Sequence, residues 1–229
     1  MTSVSFKVDP EYAKISEIIP GLFICGVTAL KREILDRYGI SFIINATTEV
    51  PNLRSLGHIP RVKLWLEDTP QANIYQHLEI YSDQIERILS DGGRVLVHCV
   101  AGVSRSASIC LAYLTKYKCR SLRDAYRLMS LKRPLVRPNL GFWRQLIQFE
   151  QEIKRSVGSV RLILVDSQPE NYLPDVYLRK VYDENDEESG NENFSSVEKR
   201  PHLQRSRKNR FRPVLEPLFE TTETVGVTA

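Results

Sequence analysis

No run of about 18 consecutive apolar residues occurs in the 229-residue chain, so no transmembrane helix is expected. The opening residues, MTSVSFKVDPEY, lack the apolar stretch of a secretory signal. Residue 2 is Thr, not the Gly that N-myristoylation requires. Cysteine is scarce: Cys25, Cys99, Cys110 and Cys119, with no CxxC pair. That argues against a disulfide framework and against a zinc site of the usual spacing, and it predicts a reducing, intracellular compartment. Internal repeats are absent. What is present is ordinary for a globular protein, with 42% hydrophobic and 26% charged residues, which excludes a wholly disordered chain. The net charge of +4 divides unevenly, +7 over residues 1–182 and −3 over residues 183–229. A mildly basic body suits an anionic substrate, as it suits many unrelated surfaces.

Hydrophobic periodicity organises the chain. ISEIIPGLFIC (15–25) reads as strand, turn, strand, with Pro20-Gly21 at the turn. TALKREILDRYG (28–39) reads as a helix stopped by Gly39, and SFIINAT (41–47) as a strand buried on both faces. VKLWL (62–66) reads as a further strand, followed by a polar loop, EDTPQAN (67–73). Ile74, Leu78, Tyr81, Ile85, Ile88 and Leu89 mark an amphipathic helix over 74–90. RVLVH (94–98) is a buried strand, and SASICLAYL (106–114) is apolar all round, as a helix enclosed by protein would be. Ser121 and Asp124 form a helix-start pattern, and PLVRPN (134–139) is a loop. The last strong helix carries Phe142, Leu146, Phe149 and Ile153 on one face. VRLILV (160–165) suggests an edge strand without an evident partner. From Asp183 onward the composition cannot bury enough apolar surface to order itself. The expected organisation is a short extension over 1–14, a folded domain over 15–156, an extension packing on it over 157–182 and a disordered acidic-then-basic tail over 183–229. Strands and helices alternating in this way imply an α/β domain with one central sheet flanked by helices.

The chemistry concentrates in RVLVHCVAGVSRSASICLAYL. A buried strand ends at His98; Cys99 follows; five residues later Arg105 and Ser106 open a buried helix. A loop this short, between a strand end and a helix start, can turn its backbone N–H groups toward one point, and the helix adds its positive end there. Gly102 permits the tight turn. The result is a cradle for a phosphate-sized dianion. The same field stabilises a thiolate on Cys99, and Arg105 can grip two phosphate oxygens at once. Sulfur would then stand behind phosphorus, in line to displace the ester oxygen and form a cysteinyl-phosphate. The leaving oxygen needs a proton, and Asp68 or Glu67, on a loop at the same sheet edge, can supply it. Ser106 is a donor for the sulfur when it leaves in the second step. His98 either tunes Cys99 or is a structural histidine, and Asn139 reads as a helix N-cap. Cys25 and Cys110 read as packing residues, with a protective disulfide to Cys99 as the alternative. A bare C-x5-R is expected by chance in roughly one chain in ten of this length, so its strand and helix flanks carry the specificity.

HCVAGVSRS resembles the active-site loop of the cysteine-dependent protein phosphatases. The span from Ile15 to Arg155 resembles a dual-specificity phosphatase domain, nearest the small atypical subgroup without a kinase-docking domain. NATTEVPN (45–52), LEDTP (66–70) and RPLVRPNLGFWRQL (133–146) match as well, and LPDVY (173–177) extends the likeness if it belongs. The resemblance implies a protein tyrosine phosphatase-like α/β fold with a single mixed sheet. It implies Cys99 as nucleophile, Arg105 as phosphate ligand, Asp68 rather than Glu67 as acid, backbone contacts to the phosphate from Val100, Ala101, Gly102, Val103, Ser104 and Arg105, and Asn139 as a brace of the phosphate loop. It implies no catalytic metal and no cofactor. Trp65 stands where the resemblance implies a smaller residue.

Val100, Ala101, Val103 and Ser104 are uncharged, whereas lipid-directed relatives place lysines there. Relatives restricted to phosphotyrosine are longer and carry an extra tyrosine-bearing loop, which is missing here. Dual specificity toward phosphotyrosine and phosphoserine or phosphothreonine is therefore expected, with phosphorylated proteins as partners. The family suggests mitogen-activated protein kinases or their upstream adaptors; nucleic acid is not expected. The rivals are an RNA 5′-phosphatase or glucan phosphatase of the same chemistry, and a phosphoprotein-binding adaptor, which typically loses the nucleophile or the arginine. Seven Lys and Arg between Lys199 and Arg212 read as a solvated stretch or a nuclear-localisation patch, and the expected location is cytoplasmic, nuclear or both.

Overall fold

β-branched and aromatic residues in short apolar runs build the sheet of this computed structural model, which describes residue 12, residues 14–164 and residues 172–178. The strands are β1 (Ser16–Ile19), β2 (Leu22–Cys25), β3 (Phe42–Asn45), β4 (Arg61–Lys63) and β5 (Val95–His98). They lie in the order β1-β2-β5-β3-β4. β1 is antiparallel to β2; β2, β5, β3 and β4 run parallel to one another. β5 is central and buried along its length. A parallel strand covered on both faces reads as an unbroken apolar run, which is how Val95, Leu96 and Val97 appear in the sequence.

The helices are α1 (Arg32–Arg37), α2 (Tyr75–Ser90), α3 (Arg105–Tyr113), α4 (Leu122–Lys132) and α5 (Leu140–Lys154). Alternate strand residues serve two cores. Leu22, Ile24, Ile44, Val95 and Val97 pack with α2, α3, α4 and α5. Phe23, Cys25, Ile43 and Leu96 pack on the other face with Leu35 of α1. Every residue of α3 is buried, Arg105, Ser106 and Ser108 included, as a helix of small and apolar residues enclosed by protein would be. Its last turn continues as a π-helical segment over Leu114–Lys118.

Three sequence expectations change. The helix expected over 28–39 is broken: a 3₁₀ turn (Val27–Ala29) precedes α1, with Lys31 extended between them. The strand expected over 62–66 ends at Lys63, because Trp65 turns into the left-handed region at φ +50°. The edge strand near 160–165 has a partner: β6 (Leu162–Leu164) pairs antiparallel with β7 (Tyr172–Pro174). The turn after β7 docks on the domain. Asp175 pairs with Arg123 of α4 at 2.5 Å, and Tyr177 Oη accepts from Trp143 Nε1 at 2.6 Å. The acidic-then-basic tail and most of the 1–14 extension lie outside the described residues.

Candidate active site

Parallel strands send their C-terminal loops to one edge of the sheet. Three of them meet there: the loop after β3 with Thr48 and Glu49, the loop after β4 with Glu67 and Asp68, and the loop after β5 running from Cys99 to Ser104. They line a cleft of about 630 Å³, joined by Arg137 and Asn139.

The turn after β5 wraps around sulfur. Gly102 N donates to Cys99 Sγ at 3.1 Å and Ser106 Oγ donates to it at 3.2 Å. Both bonds strengthen as negative charge accumulates on the sulfur. Gly102 has φ +69°, and a Cβ there would meet the backbone of Cys25 at 2.6 Å, so both conformation and space demand glycine. Cys99 is itself only 1% exposed, yet it borders the cleft.

Arg105, at the first turn of α3, reaches back across the cleft. Its Nη1 donates to Glu49 Oε2 at 2.6 Å and to the carbonyl of Leu66 at 3.1 Å. Its Nε is buried with no hydrogen-bond partner among the described residues and lies 3.7 Å from Asp68 Oδ2. Burial of this donor is costly until an acceptor arrives. Burial pushes the Glu49 carboxyl up, but the Arg105 hydrogen bond and charge outweigh it and hold it below the usual carboxylate range.

Asp68 is fixed from beneath. Ser104 Oγ donates to its Oδ1 at 2.6 Å and Asn139 Nδ2 donates to the same oxygen at 2.9 Å. Asn139 also accepts from Phe142 N at 3.0 Å, so it caps α5 and braces the acid loop together. The loop and the helix approach closely: a Cβ on Gly141 would meet Pro70 O at 1.9 Å. Glu67 borders the cleft too, but no hydrogen bond to the Cys99 loop is formed by its side chain. The turn at Trp65, a bulky residue at positive φ, costs on the order of 1–3 kcal/mol. It carries Leu66 O to Arg105.

His98 is buried and its Nδ1 stands 3.5 Å from the Cys99 carbonyl. Burial lowers its pKa to about 4, so it is neutral at working pH. Burial pushes Cys25 up to about 12 and raises Cys110 as well, which keeps both thiols protonated, as packing residues. Among the described residues no three His, Cys, Asp or Glu side chains cluster to hold a metal, and no helix is long and apolar enough to cross a membrane.

Two contributors were not foreseen. Glu49 lies inside the NATTEVPN match, and nothing local marks it as the partner of Arg105. Arg133, 2% exposed, donates to the outward carbonyls of the phosphate loop, Nε to Gly102 O at 2.8 Å and Nη2 to Ala101 O at 3.1 Å. Its Nη1 donates to Lys14 O at 2.7 Å, tying the loop to the chain before β1. Those two carbonyls are turned toward Arg133, while Gly102 N points to Cys99 Sγ.

The dual-specificity phosphatase catalytic domain matches residues 22–152. The chain belongs to the dual-specificity protein phosphatase family. Human dual specificity protein phosphatase 14 is 40% identical over 167 residues, 72% of this chain and 82% of that protein. Human dual specificity protein phosphatase 21 is 40% identical over 173 residues, 75% and 88% of the two chains. The crystal structure of human DUSP28 superposes with a TM-score of 0.60 at 29% identity, covering 66% of this chain and 99% of that one. Human tyrosine phosphatase-like serine/threonine/tyrosine-interacting protein is also similar, with a TM-score of 0.56 at 31% identity over 62% and 98%. The dual-specificity phosphatase fold and its cysteine-based phosphatase activity toward phosphorylated tyrosine and serine or threonine are those expected from the sequence.

Proposed function

We propose that Cys99, Arg105 and Asp68 carry the phosphatase reaction. Cys99 Sγ attacks phosphorus, the P–O ester bond breaks, and Asp68 gives its proton to the departing oxygen. Arg105 and the N–H groups from Val100 to Arg105 hold the phosphoryl oxygens as charge builds on them. Water then attacks the cysteinyl-phosphate, Asp68 takes the water proton, and the P–S bond breaks to release inorganic phosphate. Ser106 Oγ donates to the sulfur as it leaves. The observation that carries this reading is the sulfur of Cys99 receiving Gly102 N and Ser106 Oγ in the same cleft that Asp68 and Arg105 border.

The acidic rim formed by Glu49, Glu67 and Asp68 argues against an RNA 5′-phosphate substrate, whose backbone needs a basic groove. A binding-only role is disfavoured by the presence of both Cys99 and Arg105. The partners we propose are phosphorylated proteins, with mitogen-activated protein kinases or their upstream adaptors as the class the family suggests, in the cytoplasm or nucleus. Incubating the wild-type chain and Cys99→Ser with phosphotyrosine and phosphothreonine peptides, in the presence of a chelator, tests the assignment. Wild type should release phosphate from both peptides and Cys99→Ser from neither; equal release by the two proteins would overturn it.

A further inference from the structure

Trp65 stands in water on the segment that leads from β4 into the cleft. It is 70% exposed, while its neighbours Leu64 and Leu66 are 5% and 3% exposed. It lies two residues before Glu67 and three before Asp68, both of which border the cleft. A second tether comes from the other side: Lys63 Nζ sits 3.9 Å from the ring centroid and donates to Thr48 O at 2.9 Å, and Thr48 borders the cleft as well. The indole is thus anchored to the rim from two loops. Its backbone is in the left-handed region, a conformation that glycine would adopt more easily, and its ring gains little burial in return. Among the described residues the ring makes one ring contact, with Lys63, and is otherwise exposed.

With an ammonium on one face, the opposite face of an indole attracts a neutral ring better than a second cation, which Lys63 would repel. We propose that Trp65 is a specificity-determining residue, docking a proline or aromatic side chain that flanks the phosphorylated residue of a protein substrate. The inference rests on the phosphatase reading of the cleft. A small aryl phosphate fills the cradle without reaching the rim, so it does not sense Trp65.

The test compares p-nitrophenyl phosphate with phosphotyrosine peptides whose flanks are alanine throughout or carry proline or phenylalanine at each of three positions on either side. Wild type should favour at least one ring-flanked peptide over the alanine peptide by about fivefold in kcat/KM, the size of one stacking contact. Trp65→Gly keeps the backbone conformation available and should lose the preference, read as the ratio of ring-flanked to alanine peptide within each variant so that any change in its p-nitrophenyl phosphate rate cancels; Trp65→Phe should restore most of the preference. A preference that is absent in wild type, or that survives in Trp65→Gly, overturns the inference while leaving the phosphatase reading intact. A wild-type protein that does not hydrolyse p-nitrophenyl phosphate overturns both. Self-association abolished by Trp65→Gly, with no flank preference, would assign the ring to a second copy and also overturn the proposal.

Discussion

Ser104 Oγ donates a 2.6 Å hydrogen bond to Asp68 Oδ1, so the turn after β5 and the loop after β4 are held together. Asn139 Nδ2 joins the same oxygen at 2.9 Å, and the second oxygen, Oδ2, faces Arg105 Nε. On the proposed mechanism Oδ2, which neither Ser104 nor Asn139 holds, is the oxygen that would face the leaving group.

Asp68→Ala should lower kcat by about 10²–10⁴-fold with a phosphopeptide, whose phenoxide or alkoxide leaves poorly without a proton. The loss should be smaller with p-nitrophenyl phosphate, whose leaving group is stable as an anion. Steady-state kinetics on the two substrates check this; equal losses would mean that Asp68 serves binding or folding rather than proton transfer.

Ser104→Ala and Asn139→Ala each remove one bond that aims Asp68, and both should lower kcat for poor leaving groups more than for good ones. Both also loosen the start of α5, Asn139→Ala by losing the bond to Phe142 N and Ser104→Ala by removing the acceptor of Asn139 N at 3.1 Å, so each should also cost about 1 kcal/mol of stability. Denaturant titration beside the kinetics separates the two roles.

Arg133 lies 31 residues from the carbonyl of Gly102 that it holds. Arg133→Met fills much of the volume and leaves the carbonyls of Gly102, Ala101 and Lys14 without their charged donor. A destabilisation of about 2–4 kcal/mol is expected, together with a raised KM as the loop relaxes. Wild-type stability and KM in that variant would remove Arg133 from the list of groups that shape the cradle.

His98 predicts a pH dependence. Its folded pKa, lowered by burial to about 4, lies beneath the value near 6.5 of an unfolded chain. Above pH 6.5 both states are neutral and the residue contributes no slope. As pH falls from 6.5 toward 4 the unfolded chain takes up a proton that the native one refuses, so stability falls by up to about 3 kcal/mol across that window. Unfolding curves at intervals through it should show this slope in wild type and a flatter one in His98→Gln. Identical slopes would mean that His98 is solvated in the native protein.

Much of the site was legible in the sequence because it is local. Cys99, Gly102, Arg105 and Ser106 sit in one strand–turn–helix passage, whose apolar flanks announce both elements. The loop carrying Glu67 and Asp68 was legible because β4 is parallel to β3 and the loop emerges at the same edge; the preference for Asp68 between the two drew on the family resemblance. Glu49 and Arg133 were not, since their partners are 56 and about 30 residues distant and no local pattern records the pairing. VKLWL reads as a strand by alternation and β-propensity. Tertiary demand overrides that propensity at Trp65, where the chain turns and Leu66 O meets Arg105. The break at Leu30–Lys31 in the first helix is invisible for a similar reason: nothing in TALKREIL forbids a continuous helix.

Rapid-quench mass spectrometry during p-nitrophenyl phosphate turnover, with Ser106→Ala used to slow sulfur departure, tests the central claim most directly. A phosphate attached to Cys99, accumulating more in Ser106→Ala than in wild type, is the predicted result. Turnover that continues with phosphate found on another residue, or with Cys99 unmodified throughout, would contradict it.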